Sequence, residues 1–331
     1  MSDSCIRWGV LGASNIAGDF ILAMNTLPKD EHKVIAVGSS SEERAKVFAE
    51  KNGIHKWYGC HELLVQDPEV QIVYIAGTTN THAKFCKLAL NNGKHVLCEK
   101  AFALNFKEAK EVLDLANKKG LFIMEAMWTR FLPATLYLEK ILEEKKIGEV
   151  SIALATFGAV METKQRIYDK ALGGSVLLDI GIYTLTFADI VFRGERPVKI
   201  VASGHLFDSG VDHSVSVTLM FSGKRMAQLL FTAGVALQNK ASVFGTKGSI
   251  SLEAPFHAAT MVTTADTIEF PLPDLEWPSK CINSAGLRYE IDAVRQSILS
   301  GELENKVMPH STTLRIMEYV DEIALQLGMK L

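Results

Sequence analysis

Three side chains in this sequence have the types and spacing needed to take a proton from an alcohol: Lys100, Asp179 and Tyr183. Lys100 closes the run Val96-Leu97-Cys98-Glu99-Lys100. Asp179 and Tyr183 lie within Gly173-Gly174-Ser175-Val176-Leu177-Leu178-Asp179-Ile180-Gly181-Ile182-Tyr183, and if that stretch is helical a four-residue spacing puts both on one face. An alcohol that gives up a hydride must also lose its hydroxyl proton. A phenol of unperturbed pKa about 10 accepts it poorly near neutrality unless a neighbouring cation favours the phenolate. Lys100 is the candidate for that cation. Taken singly, each residue has an ordinary reading: Lys100 a solvated loop lysine, Asp179 a helix cap or ion-pair partner, Tyr183 a core ring. Packing alone, however, gives no reason for a strand-end lysine and an Asp-x-x-x-Tyr helix in the same chain.

The elements that must position these residues follow from periodicity. From Ile6 to about Glu125, short apolar runs (Trp8–Leu11, Val34–Val37, Ile72–Ile75, His95–Cys98, Leu121–Met124) alternate with segments such as Ser41–Lys51 and Thr81–Asn91, whose apolar residues recur three and four apart. This rhythm predicts a parallel sheet covered on both faces, with Glu99 and Lys100 at a carboxyl strand end, where ligands sit in such sheets. Beyond a helical stretch ending near Gly148 the pattern turns to β-rich runs: Ser151–Phe157, Val198–His205, Ser214–Phe221, Ala227–Thr232 and Ser249–Leu252. These predict a mostly antiparallel sheet with helices near 176–192 and 286–300 packed on it. The expected fold is an α/β Rossmann domain over residues 1–125, then an α+β domain over 126–331 with a large, mostly antiparallel open sheet. At 331 residues the chain is long enough for two cores.

The first strand runs into Gly9-Val10-Leu11-Gly12-Ala13-Ser14-Asn15-Ile16-Ala17-Gly18, close to the G-x-G-x-x-G/A fingerprint, with Gly12, Ser14 and Ala17 in the three slots. The motif implies a dinucleotide whose pyrophosphate meets the helix N-terminus near Ser14, Asn15 and Ile16. An oxidised nicotinamide adds a second positive charge that favours a phenolate at Tyr183. Sites that prefer NAD carry a carboxylate after the second strand to hold the ribose 2′-hydroxyl. This chain has Gly38-Ser39-Ser40-Ser41 there, with Arg44 one helical turn on, which predicts NADP over NAD. The competing reading is that the serines only cap the next helix, and Glu42 and Glu43 oppose a phosphate.

Bulk properties exclude other classes. The 35 basic and 38 acidic residues give a net charge of -3, are interspersed and include no polybasic tract, which argues against nucleic acid and anionic membrane as partners. Five cysteines without a C-x-x-C pair predict a reducing compartment, free thiols and no metal. The start lacks the features of a secretion signal, and no 18-residue apolar run is read in the chain, so a cytoplasmic location is expected.

Thr79-Asn80-Thr81-His82, Cys98-Glu99-Lys100 and the Asp179–Tyr183 stretch, together with the glycine-rich start, resemble the glucose-fructose oxidoreductase / inositol dehydrogenase / MocA family. Glu125-Ala126-Met127-Trp128-Thr129-Arg130-Phe131-Leu132-Pro133, Leu178–Tyr183 and Gly210-Val211-Asp212 are similar to its dimeric dihydrodiol dehydrogenase branch, also described as NADP-dependent D-xylose 1-dehydrogenases. Most of the wider family has histidine in place of Tyr183. The resemblance implies that Lys100 bonds the nicotinamide ribose and the substrate hydroxyl, that Tyr183 transfers the proton, and that Asp179 orients the site. It also implies that Thr78, Thr79, Asn80, His82, Glu99, Trp128 and Arg130 line the cofactor, and that the chain is a homodimer joined through the second-domain sheet. The strand around Ser214–Phe221, with apolar residues at successive positions, is the expected dimer surface. Where the family usually reads Glu-Lys-Pro, this chain has Glu99-Lys100-Ala101, and without proline a trans bond is the ordinary form.

Trp128, Phe157 and Tyr183 would wall a pocket suited to a dihydroaromatic diol or a pyranose face. Two rival functions remain at this stage: a non-catalytic cofactor-binding sensor, and an NAD-dependent glycosidase that oxidises and re-reduces a sugar.

Overall fold

The computed structural model describes residues 4–330. In chain order the elements are β1 (Ile6–Leu11), α1 (Asn15–Met24), β2 (His32–Gly38), α2 (Glu42–Lys51), β3 (Lys56–Tyr58), α3 (His61–Gln66), β4 (Ile72–Ile75), α4 (Thr79–Asn91), β5 (His95–Glu99), α5 (Phe106–Lys119) and β6 (Ile123–Ala126). They continue with α6 (Pro133–Glu143), β7 (Val150–Gly158), α7 (Gln165–Tyr168), α8 (Ile182–Val191), β8 (Lys199–Leu206), β9 (Asp212–Phe221) and β10 (Arg225–Thr232). Last come β11 (Ala241–Gly245), β12 (Gly248–Leu252), β13 (Met261–Thr263), β14 (Thr267–Glu269), α9 (Leu287–Leu299) and α10 (His310–Gln326).

The chain forms two compact units, and neither is continuous. The first holds the residues up to Ala103, then Lys107–Trp128 and Leu272–His310; the second holds Leu104–Phe106, Thr129–Pro271 and the residues from Ser311. The rhythm of the sequence predicts a single boundary at 125/126. The structure instead returns a late segment to the first unit.

In the first unit all strand pairs are parallel, in the order β3-β2-β1-β4-β5-β6. Every residue of β4 is buried, and so is every residue of β5 after His95, as helices on both faces require. The strand β3 escapes the sequence reading because Lys56-Trp57-Tyr58 is a short, half-exposed edge with no apolar run. The helix expected near 286–300 forms as α9, but it packs on α1 in this unit rather than on the second sheet.

Polar contacts hold the late segment in place. The Asp19 carboxylate, on α1, accepts from the backbone N–H of Lys280 (2.9 Å) and Cys281 (2.7 Å). The Ile123 N–H donates to the Leu303 carbonyl (3.2 Å), and the His310 ring bonds the Ile123 carbonyl (3.0 Å). Glu31, His32 and Asp292 on α9 offer ligand atoms within 4.8 Å of one another. Trp8 Nε1–H donates to His32 Nδ1 (3.4 Å), which leaves the proton of a neutral ring on Nε2, and Arg295 stands 3.9 Å from Glu31. Burial and the Arg295 charge push His32 down to about 4. A guanidinium and a protonated ring nitrogen suit an ion-pair group better than a metal.

In the second unit eight strands run β14-β13-β12-β11-β7-β10-β9-β8, antiparallel except where β7 meets β10. The alternation in β9 is strict: Val215, Val217, Leu219 and Phe221 are buried, and the residues between them face outward. The core lies between the inward face and α8, whose ten residues are all buried. The segment Lys170–Val191 is apolar enough to span a bilayer, contrary to the sequence reading, yet 94% of its most apolar window is buried inside the protein, the signature of a core helix.

Replacing Asp19 by alanine should leave the part-buried backbone N–H groups of Lys280 and Cys281 without their acceptor. We expect urea unfolding to show a loss of about 2–3 kcal/mol, with faster hydrogen exchange at Lys280 and Cys281. Unchanged exchange at those two amides would mean that the segment is held by apolar packing alone.

Candidate functional site

The glycine loop is built around one steric fact. Gly12 has φ +113°, and a β-carbon there would stand 2.7 Å from the Ala76 carbonyl oxygen at the end of β4. Only glycine lets β1 turn into α1 so close to its neighbour. Gly9 is a packing position: a β-carbon on it would press on Val70 at 2.9 Å. Ser14 is the N-cap of α1 and accepts from the Ala17 N–H (3.3 Å), while Asn15 and Ile16 open the helix with their N–H groups free of helical partners. A cradle with no room for a β-carbon, opening on a ten-residue helix, fits a dinucleotide pyrophosphate.

The serine run divides its labour. Ser39 is buried and its N–H donates to the Tyr58 carbonyl (3.1 Å). Ser41 caps α2 by accepting from the Arg44 N–H (3.3 Å), the capping that serine predicts. Ser40 does neither. It is exposed, and its Oγ accepts from the Arg44 guanidinium at 2.6 Å.

At the end of β4, Thr78 Oγ1 donates to Asn80 Oδ1 (2.6 Å), and Thr79 begins α4. His82 is 1% exposed, with Nδ1 2.8 Å from the Ala101 carbonyl and Nε2 3.2 Å from the Gly77 carbonyl. It thereby ties the loop after β4 to the loop after β5. Burial pushes its pKa down, against the pull of the two carbonyls. The Lys100–Ala101 bond is cis, where the sequence reading takes trans as ordinary. Glu99, beside Lys100, is buried and accepts from the Tyr74 hydroxyl (2.5 Å). Burial, and then the Glu99 charge, push the wholly buried Glu290 of α9 well above the usual carboxylate range. Glu290 is invisible to motif reading because it arrives from the late segment.

Asp179, Tyr183, Phe157 and Arg130 belong to the second unit, Lys100 and Trp128 to the first. Leu177–Gly181 form a π-turn leading into α8, so Asp179 and Tyr183 are not stacked as on the regular α-helix assumed from spacing. Asp179 is bonded to the Arg166 guanidinium (2.7 Å). Tyr183 is 5% exposed, and its ring lies 5.0 Å from that of His257 and 5.8 Å from that of Phe157. His257 also stacks on Phe157 at 4.3 Å. Sequence reasoning missed His257, which sits on a short turn without a motif. Arg130 is buried and pairs with Asp189 of α8 (3.1 Å), which Arg315 also holds (2.6 Å).

Asp212 opens β9 and is fully buried against the start of the π-turn. Its Oδ1 accepts from the Ser175 hydroxyl (2.8 Å) and the Val176 N–H (3.1 Å), and its Oδ2 from the Leu177 N–H (2.5 Å).

Comparison with known proteins places these features among relatives. Residues 6–127 match the oxidoreductase family with an NAD-binding Rossmann fold, and residues 135–251 match the GFO/IDH/MocA C-terminal domain. The chain is 40% identical over 326 residues to trans-1,2-dihydrobenzene-1,2-diol dehydrogenase of Danio rerio, covering 98% of this chain and 97% of the relative. It is 37% identical over 325 residues to the enzyme of that name from Homo sapiens, covering 98% and 97%. Among solved structures, a 3-ketoreductase from Actinomadura kijaniata in complex with NADP superposes with a TM-score of 0.82 at 27% identity, covering 97% of each chain. A levoglucosan dehydrogenase in complex with NADH shares the fold, with a TM-score of 0.86 at 19% identity over 98% and 97%.

Burial raises the Asp212 carboxyl from 3.8 to about 6 against the four hydrogen bonds that favour its anion. The native protein thus keeps a proton that the unfolded chain releases at lower pH. This group favours folding in acid, and its contribution is lost as the pH rises through about 6. Urea unfolding of wild type and Asp212→Asn should therefore show a stability difference that shifts against wild type by up to about 3 kcal/mol between pH 4 and pH 7. A difference independent of pH would refute this titration.

Proposed function

The chain belongs to the GFO/IDH/MocA family of oxidoreductases, and from that premise we propose that it oxidises a secondary alcohol on a ring with NADP as cofactor. The substrate is a trans-dihydrodiol, oxidised to its catechol, or an aldopyranose such as D-xylose, oxidised at the anomeric carbon to a lactone. The observation that carries this reading is a phenol, Tyr183, set among the aromatic rings of Phe157 and His257. Such walls suit the flat or apolar face of a ring substrate. The relatives named for a dihydrobenzenediol support the first substrate class.

When bound, the dinucleotide supplies the hydride acceptor. Gly12, Ser14, Asn15 and Ile16 receive its pyrophosphate, and Thr78, Thr79, Asn80, Glu99, Trp128 and Arg130 complete its binding. His82 contributes by joining the loops that carry Gly77 and Ala101. Tyr183 takes the substrate's hydroxyl proton at its phenolate oxygen. The Lys100 ammonium would hold the nicotinamide ribose. Asp179, held by Arg166, orients the group. Preference for NADP is supported by Ser40 and Arg44, which offer a hydroxyl and a guanidinium for a 2′-phosphate.

A homodimer through the outer face of the second sheet completes the reading. Val201, Met220, Leu230, Leu154 and Phe244 are each 39–42% exposed and fall on one face by strand register, drawn from five strands rather than from β9 alone. Five cysteines at irregular spacings without a C-x-x-C pair are the support for a reducing, cytoplasmic setting.

The test is absorbance at 340 nm with NADP or NAD as acceptor and D-xylose, D-glucose or a trans-dihydrobenzenediol as donor. We expect reduction of NADP by one of these donors. Dinucleotide binding without reduction by any of them would instead favour the sensor or the transient-redox glycosidase. Tyr183→Phe should lower turnover by about two or more orders of magnitude with NADP binding retained, and full turnover in that variant would sink the role. Arg44→Ala should raise the KM for NADP about tenfold or more and leave that for NAD unchanged. Light scattering at micromolar concentration should give twice the chain mass; the single-chain mass would reject the dimer.

A further inference from the structure

Asp212 is unusual in where it comes from. The first N–H groups of a helix have no partner within the helix, and they are ordinarily met by a side chain just before it. Here Val176, at the cap position, makes no side-chain cap bond. The acceptor is instead a carboxylate that opens β9, 36 positions beyond Val176 in the chain. It takes the Val176 and Leu177 N–H groups directly and the Ser175 hydroxyl besides, and the Ser175 oxygen in turn accepts from the Leu178 N–H (3.1 Å). All the leading donors of the π-turn are thus referred to one buried carboxyl group.

The far end of the same turn is fixed by the adjacent strand. A β-carbon on Gly181 would stand 2.8 Å from the Phe231 ring of β10, so the turn rests directly on that ring. The Gly181 carbonyl is met by the Thr184 hydroxyl (2.7 Å). β9 and β10 are paired neighbours, with Val215 opposite Phe231. The π-turn is therefore clamped at both ends by two bonded strands, and Tyr183 follows it by two residues.

We propose that Asp212 is a positioning residue for Tyr183: by gripping Ser175, Val176 and Leu177 it fixes the start of the π-turn, and so the angle at which the phenol meets the substrate hydroxyl. This rests on the proposed role of Tyr183 as proton acceptor. A misplacement of about 1 Å at a reacting group costs up to about 100-fold in rate. A helix-stabilising residue with no such role would affect unfolding and leave turnover of the folded enzyme alone.

The experiment is a double-mutant cycle on the full chain with Asp212→Asn and Tyr183→Phe, reading kcat, the KM for the alcohol and the KM for NADP at a temperature where every variant is folded. Asparagine keeps the size but presents an N–H where Leu177 needs an acceptor. We expect Asp212→Asn to lower kcat about 10- to 100-fold with the KM for NADP within about twofold, and to add less than about twofold in the Tyr183→Phe background. An unchanged kcat, or an equal fall in both backgrounds, overturns the proposal. Full turnover in Tyr183→Phe alone overturns the reading beneath it and is seen separately. Should Asp212→Asn fail to fold, Ser175→Ala, which removes one grip, is expected to lower kcat severalfold in the Tyr183 background only; no change there overturns the proposal equally.

Discussion

Parallel strands cannot be joined by a tight turn; each must be followed by a crossover, and the crossovers in the first unit are helices. That constraint brings every strand-to-helix loop out at the same edge of the sheet. Gly12, Ser39 to Ser41 and Thr78 to His82 follow β1, β2 and β4, and Glu99 ends β5 with Lys100 just beyond it, so residues scattered over a long stretch of sequence come to one rim. The reversal of strand order between β1 and β4 opens that rim, and the close approach of Gly12 to Ala76 marks the place.

The second unit solves a different problem. Its sheet is buried on one face only, so it can be wide, antiparallel and alternating, and it gives up crossover loops as a source of functional groups. The candidate functional side chains come instead from the helix lying on the covered face and from turns at the sheet's margin. Tyr183 belongs to that helix and His257 to such a turn. The widened turn before Tyr183 is where the helix departs from ideal geometry, and such departures are frequent at functional sites.

The sequence was legible where a local rule sufficed. Gly12 and Ser14 sit where the dinucleotide fingerprint implies, Ser41 caps as serine does, and the apolar runs at Ile72 and His95 are strands. It was not legible where the answer depended on contacts distant in sequence. The capping of the Tyr183 helix by Asp212 looks like any strand-start acid until the fold joins them. Likewise α9 has the period of a helix that could lie on either sheet, and contacts distant in sequence, such as those of Asp19 with Lys280 and Cys281, say which. Spacing arguments assumed a regular α-helix through Asp179, and the π-turn altered that phase because Phe231 and Asp212 fix its two ends.

The late return of residues 272–310 also bears on how the protein is made. A ribosome emits the strands of the parallel sheet first, and domains generally fold as they emerge. Here the α1 surface must wait for α9, and the Ile123 amide for the Leu303 carbonyl, until more than half the chain again has been synthesised. Through that interval the nascent unit carries an uncovered apolar flank on α1 and an acid, Asp19, without its two amide donors. The first half of this chain is therefore expected to lean on holding chaperones during translation, and to tolerate excision as a free-standing piece poorly.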